Sequence, residues 1–227
     1  MQRNTNTATV VRSRSTSIVE TNSVIRNTYL LLSLTLIFSA FTAWWAMVNQ
    51  ARPMGLLVLP IYMGLLFLTQ SLRNSAWGIA SIFAFTGFMG YTLGPILNMT
   101  IQGFSNGSQI VMSALGLTGV IFLSLSAYAF TTRKDFSYLA GFLFVASTVA
   151  FIGSLAGIFF HIPILWLSVS AAFVLISSGM ILFETSQIIQ GGEKNYIMAT
   201  ISLYVSIYNL FISLLQLFSL LAGRRNN

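Results

Sequence analysis

Seven stretches of this sequence are continuously apolar over the length of a membrane crossing: approximately Tyr29 to Val48, Met54 to Gln70, Trp77 to Leu97, Ile110 to Ala129, Phe136 to Phe160, Ile164 to Ile189 and Ile197 to Leu221. A hydrocarbon core about 30 Å thick takes roughly 17 to 25 helical residues to cross, and each stretch meets that requirement. Inside the bilayer every backbone N–H and C=O must be paired within the protein, which leaves only helices or a closed barrel. Barrel strands would alternate lipid-facing and lumen-facing residues in segments of about ten. These runs are apolar throughout, so helices are expected. The connections are short, and neighbouring helices therefore run antiparallel. The expected fold is all-α, a polytopic bundle of seven transmembrane helices over residues 28–222, between a polar tail, 1–27, and a short basic tail, 223–227.

Charged residues make up 7% of the chain, against roughly 25% in an ordinary soluble domain. The net charge of +7 comes from Lys and Arg placed singly or in pairs at the ends of apolar runs. That is the placement of topology determinants and not of a phosphate-tracking patch, so no nucleic-acid partner is expected. Seven crossings put eight of these cations on the side of the N-terminus and three on the other. Lys and Arg concentrate on the cytoplasmic side, which predicts a cytoplasmic N-terminus and a periplasmic C-terminus. The first 27 residues are rich in Ser, Thr and Asn and carry Arg3, Arg12, Arg14 and Arg26 against Glu20. A segment so poor in apolar residues is expected to be disordered.

Catalytic chemistry has little to draw on. No cysteine is present, which excludes disulfides and thiolate nucleophiles, and one histidine with four acids leaves few ligands for a metal. No enzyme activity, metal or cofactor is expected. Gly103, Ser105 and Gly107 match the spacing of a hydrolase nucleophile elbow, but that motif requires a strand before the serine and an acid to orient a histidine. Here the pattern sits between two membrane helices, where a turn is the expectation. His161 lies in another connection and reads as an interfacial residue. In the third run Gly87, Gly90 and Gly94 precede Pro95. Small residues at this spacing let helices approach closely, and the proline removes a hydrogen bond, so Gly94 and Pro95 mark either tight packing with a kink or a hinge.

The most unusual residue is Glu184 in ILFETSQIIQ, about six residues before the end of the sixth run and hence roughly 9 Å inside it. A charged acid facing lipid at that depth costs on the order of 2 to 3 kcal/mol or more, so it is expected to face the bundle interior. Ser177 and Ser170 precede it at seven-residue steps on the same face. The seventh run carries Ser202, Ser206, Asn209 and Ser213 at steps of four, three and four, a single polar stripe. The short loop between the runs brings the helices back side by side, with Ser206 or Ser202 level with Glu184. Three readings follow: interhelical hydrogen bonds that hold the two helices together, a cation or proton site at a buried carboxyl, or a contact surface for another membrane protein.

RNTYLLLSLTLIFSA (26–40), AFTGFMGYTLGPILN (84–98), TTRKDFSYLAG (131–141) and ISSGMILFETSQIIQGGEKNYIMATISLYVSIYNLF (176–211) together resemble the Bax inhibitor family of seven-helix membrane proteins. The resemblance is strongest to its bacterial branch of protease modulators. It implies a bacterial inner-membrane protein that associates with the FtsH membrane protease and restrains it, with the tail 1–27 as a handle the protease engages. Other bacterial members are pH-sensitive calcium leaks that use an acid on each of the last two helices. By position the first acid falls on Glu184 and the second on Ser206, ahead of the matching Asn209. Only half of that pair is present, which favours the modulator over a cation leak. Arg73, near the end of the second run, is a candidate counter-ion to Glu184.

Overall fold

A computed structural model describes the backbone of residues 3–160 and 163–225 and the side chains of residues 21–157, 160 and 165–223. The described residues are all helical or in turns and short connections. The helices are α1 (Arg3–Val48), α2 (Val58–Leu72), α3 (Trp77–Gly103), α4 (Gly107–Thr132), α5 (Leu139–Phe160), α6 (Pro163–Gln190) and α7 (Tyr196–Arg225), with a 3-10 turn, Gly55–Leu57, ahead of α2. Each contributes to a segment long and apolar enough to cross a membrane, beginning with Thr21–Val48 in α1 and ending with Tyr196–Gly223 in α7.

The helices extend past the apolar runs at both ends of the chain. Residues 3–20 continue the α1 ladder where the sequence reading expects a disordered tail, and α7 continues to Arg225. Lengthening a helix that is already nucleated is far easier than starting one, so a polar segment joined to a stable span can carry its ladder onward.

The polar loop between the sixth and seventh runs has a physical basis in its sequence. Gly191 takes a φ of 75°, the left-handed conformation that ends a helix, and its N–H reaches the Ile188 carbonyl at 3.2 Å. Asn195 then starts α7 by accepting the N–H groups of Ile197 at 3.0 Å and Met198 at 3.1 Å through Oδ1. Its Nδ2 donates to the Arg73 carbonyl and to Asn74 Oδ1, each at 3.0 Å. One side chain thus caps α7 and fixes its entry against the α2–α3 turn.

α7 is the central helix, packed against α6, α4, α1 and α3, while α2 lies on α3 and α5 on α6 at the periphery. The core around it includes Leu32, Ile82, Phe85, Ile181, Leu203 and Leu210, all essentially inaccessible. Phe144, Met112 and Trp77 point outward, as side chains facing lipid do.

Glycines of α3 bring it into close contact with α1. A Cβ at Gly90 would collide with the Ser39 carbonyl and the Thr42 hydroxyl, and one at Gly94 would lie 2.9 Å from the Ala43 carbonyl. Close backbone approach is what the glycine spacing provides. α3 runs unbroken through Pro95, which is buried with Gly94. Gly94 and Pro95 therefore stand at a tight contact with α1.

Candidate functional site

Glu184 lies on α6 with 8% of its surface exposed, and Ser206 lies opposite it on α7 with 4% exposed. Ser206 Oγ donates to Glu184 Oε2 at 2.9 Å. Two heptads nearer the other end of the bundle, Ser170 Oγ donates to Gln216 Oε1 at 3.2 Å. Ser177 is buried between these two rungs on the same face of α6. The polar residues at seven-residue steps on α6 thus face α7, and two of them bond across the interface. Each such bond in a membrane is worth about 0.6 kcal/mol on average.

The stripe on α7 divides. At 3.6 residues per turn, Ser202, Ser206, Asn209 and Ser213 occupy a wedge of only about 60°. That wedge straddles the edge of the α6 interface. Ser206 and Ser213 are buried, Ser202 is half-buried and Asn209 is exposed. Ser213 turns back on its own helix, donating to the Asn209 carbonyl at 2.7 Å. The Asn209 side-chain amide has no hydrogen-bond partner among the described residues.

The residues after Glu184 tie α6 to α1 and to the α4–α5 connection. Thr185 Oγ1 is 3.4 Å from the Tyr29 hydroxyl of α1, which also donates to Ser126 of α4 at 3.3 Å. Ser186 Oγ accepts the Phe136 N–H at 3.1 Å and donates to the Lys134 carbonyl at 3.0 Å. Gln187 Nε2 donates to Ser137 Oγ at 2.7 Å, and Gln190 Nε2 donates to the Arg133 carbonyl at 2.6 Å. ETSQIIQ is therefore a junction joining α1, α4, the α4–α5 connection and α7. In that connection Asp135 accepts the Ser137 N–H at 2.8 Å, and the Ser137 hydroxyl and N–H together hold its carboxyl below the ordinary value.

Tyrosines make further polar links between the helices. The Tyr204 hydroxyl is 2.6 Å from Ser39 Oγ and donates to the Thr86 carbonyl at 3.2 Å, joining α7 to both α1 and α3. The Tyr208 hydroxyl is 3.0 Å from Thr92 Oγ1 of α3. In the sequence these tyrosines lie within an otherwise apolar run, Ile197 to Leu221. The signal that could have found them is their spacing: Tyr204 and Tyr208 lie four residues apart, two on either side of Ser206, and so share a face of α7. A tyrosine hydroxyl buried on such a face needs a partner across the interface.

Other expected site residues stand apart from Glu184. Arg73 is exposed at the end of α2 and forms no ion pair with Glu184 among the described residues; its carbonyl is engaged by Asn195. An exposed guanidinium at a helix end keeps its hydration, whereas Glu184 is buried within α6 and already bonded to Ser206. Ser105 falls in a tight turn between α3 and α4, with Gly103 ending one helix and Gly107 starting the next. A helix and not a strand precedes it, so the elbow geometry is missing. His161 lies outside the described residues. A cavity of about 670 Å³ lined by Asn27, Gln190, Glu193 and Lys194 opens near the α6–α7 loop, and Glu184 does not line it. Among the described residues no three His, Cys, Asp or Glu side chains group as a metal site.

The family model described as inhibitor of apoptosis-promoting Bax1 matches residues 21–224. An uncharacterized protein of Pseudomonas aeruginosa is 56% identical over 207 residues, covering 90% of this chain and 92% of that protein. The modulator of FtsH protease YccA of Escherichia coli K12 is 53% identical over 203 residues, covering 89% and 92%. In a second Escherichia coli strain the matching relative is named inner membrane protein YccA, with the same identity and coverage. Seven membrane-length helices and matches across nine-tenths of the chain agree. The chain belongs to the family of the inhibitor of apoptosis-promoting Bax1 and is a multi-pass inner-membrane protein of that family.

Proposed function

We propose that this protein binds an FtsH-type membrane protease and restrains its proteolysis, without catalytic residues or a cofactor of its own. The observation that carries the reading is 53% identity over 89% of the chain to a relative named as a modulator of that protease. In this reading the N-terminus is cytoplasmic and the C-terminus periplasmic, with the Lys and Arg excess on the cytoplasmic side. The N-terminal segment is the part the protease engages.

The packing gives this reading a physical means. Pulling on the N-terminus draws first on α1, and α1 has the most extensive helix interface in the bundle, against α3. Ser39 and Tyr29 anchor α1 further to α7 and α6. A processive protease meets its strongest resistance at the first helix and is occupied by a poor substrate. A cation leak through Glu184 competes with this reading, and calcium is the ion to test.

Two measurements separate them. Membranes solubilised with the protease tagged are expected to yield this protein, and removal of residues 1–27 is expected to weaken the association. Purified protein in liposomes is expected to pass no calcium that depends on Glu184. A pH-dependent calcium flux abolished by Glu184→Gln, with no association with the protease, would replace the modulator reading.

A further inference from the structure

Near one end α1 and α4 are held together: the Tyr29 hydroxyl donates to Ser126 at 3.3 Å, and the Tyr29 ring lies against Phe122 and Phe130. Toward the other end they part. A cavity of about 240 Å³ separates Ala40, Ala43 and Trp44 of α1 from Leu115 and Thr118 of α4. Its floor is α7, at Ile207 and Phe211, both buried. α1 and α4 each pack on α3 and α7 but share no extensive interface of their own. The cavity follows α1 from Leu36 to Met47, about 16 Å at 1.5 Å per residue.

The lining decides what this crevice holds. Its four hydroxyls are all bonded within the protein: Ser39 with Tyr204, Tyr204 with the Thr86 carbonyl, Tyr208 with Thr92, and Thr118 with the Ala114 carbonyl. No hydroxyl is left over to hold water or an ion, and a cavity of this kind stays dry and takes an apolar guest. A helix is about 10 to 12 Å across with its side chains, too wide to enter so small a space, whether it comes from a second copy or from another protein. The mouth is formed by Ala40, Trp44 and Leu115, all exposed, so the crevice is continuous with the lipid-facing surface of the bundle. Its length matches one leaflet, half of a hydrocarbon core about 30 Å thick. Met47 is one residue from the end of α1, and Arg52 is exposed in the connection that follows, a cation placed for a lipid headgroup.

We propose that the crevice between α1 and α4 is a binding site for one acyl chain of a bilayer phospholipid. The chain lies along the helices against Ile207 and Phe211, with its headgroup at the Arg52 end. It takes the place of a direct α1–α4 contact and packs beside Tyr204, whose hydroxyl ties α7 to α1 and α3. The site is separate from the Glu184–Ser206 pair, which joins α7 to α6. The proposal does not depend on the protein meeting a protease.

The test uses the full-length protein in liposomes of phosphatidylethanolamine and phosphatidylglycerol, part of which carries a diazirine midway along one acyl chain. Light, digestion and mass spectrometry locate the label. It is expected on Ile207 or Phe211, within the bundle, and on the lipid-facing control Phe144, and to be absent from Ile181, buried on α6. Ala40→Phe on one wall and Leu115→Trp on the other narrow the mouth at exposed positions, where substitutions disturb folding least. At least one of them is expected to abolish the label on Ile207 and Phe211 while that on Phe144 is kept. No label on Ile207 and Phe211 of the unaltered protein, the result for a crevice that closes or is filled by a side chain of a second copy, would overturn the proposal. So would label there that persists in both variants, or label on Ile181 as strong as on Ile207.

Discussion

Ser206 of α7 donates to Glu184 of α6 at 2.9 Å, and both side chains are more than nine-tenths buried. The bond joins the only acid inside a described span to a hydroxyl on the neighbouring helix. Ser206→Ala leaves a buried carboxyl oxygen without its donor and is expected to destabilise the bundle by about 1 to 2 kcal/mol. Glu184→Gln keeps an acceptor oxygen in the same place and is expected to change stability by less than about 1 kcal/mol. Thermal unfolding in detergent compares the two. Equal losses would mean that the pair acts through charge and not through the hydrogen bond.

Gly90 makes a sharper demand. A side chain there meets backbone of α1, which has no rotamer by which to yield. Gly90→Ala is expected to cost about 1 to 3 kcal/mol through overpacking. Gly116→Ala in α4, where a Cβ meets nothing within 4 Å, is expected to be neutral or slightly stabilising. The two unfolding temperatures, measured side by side, check the assignment of α1–α3 as a tight interface.

Asn195 serves two elements at once. Asn195→Asp retains the oxygen that caps α7 and loses the donor to Arg73 and Asn74, whereas Asn195→Ala loses both. The alanine variant is expected to cost about 1 kcal/mol more than the aspartate. Hydrogen exchange is expected to quicken at the Ile197 and Met198 amides in the alanine variant only.

Asp135 supplies an acid-dependent contact outside the spans. Its carboxyl is held below its ordinary value of 3.8 by the Ser137 hydroxyl and N–H. A lowered folded-state value means that the contribution is fully present above pH 3.8 and is lost as the pH falls through the folded value. Protection of the Ser137 amide is therefore expected to fall on acidification below that point, and Asp135→Asn is expected to remove this pH dependence.

The helices were legible because the bilayer imposes length and polarity so strictly that a single residue class decides each span. Glu184 with Ser206 was legible for a related reason: a short loop fixes which helices lie together, and depth fixes which residues are level. The division of the stripe was not. Helical periodicity places Ser202 and Asn209 beside Ser206, but the edge of the α6 interface is set by where α6 sits on α7, which no local spacing encodes. Depth in the chain alone points Arg73 toward Glu184, and solvation at the helix end keeps its guanidinium outside the bundle. Thr185, Ser186, Gln187 and Gln190 have the composition of a polar helix end, and their separate partners come from distant parts of the sequence.

The most direct measurement is degradation of a membrane-embedded substrate by an FtsH-type protease in liposomes, with and without this protein. The account predicts slower degradation when the protein is present, equally with Glu184→Gln, and less slowing when residues 1–27 are removed. Degradation at an unchanged rate, in liposomes where calcium flux depends on Glu184, would contradict it.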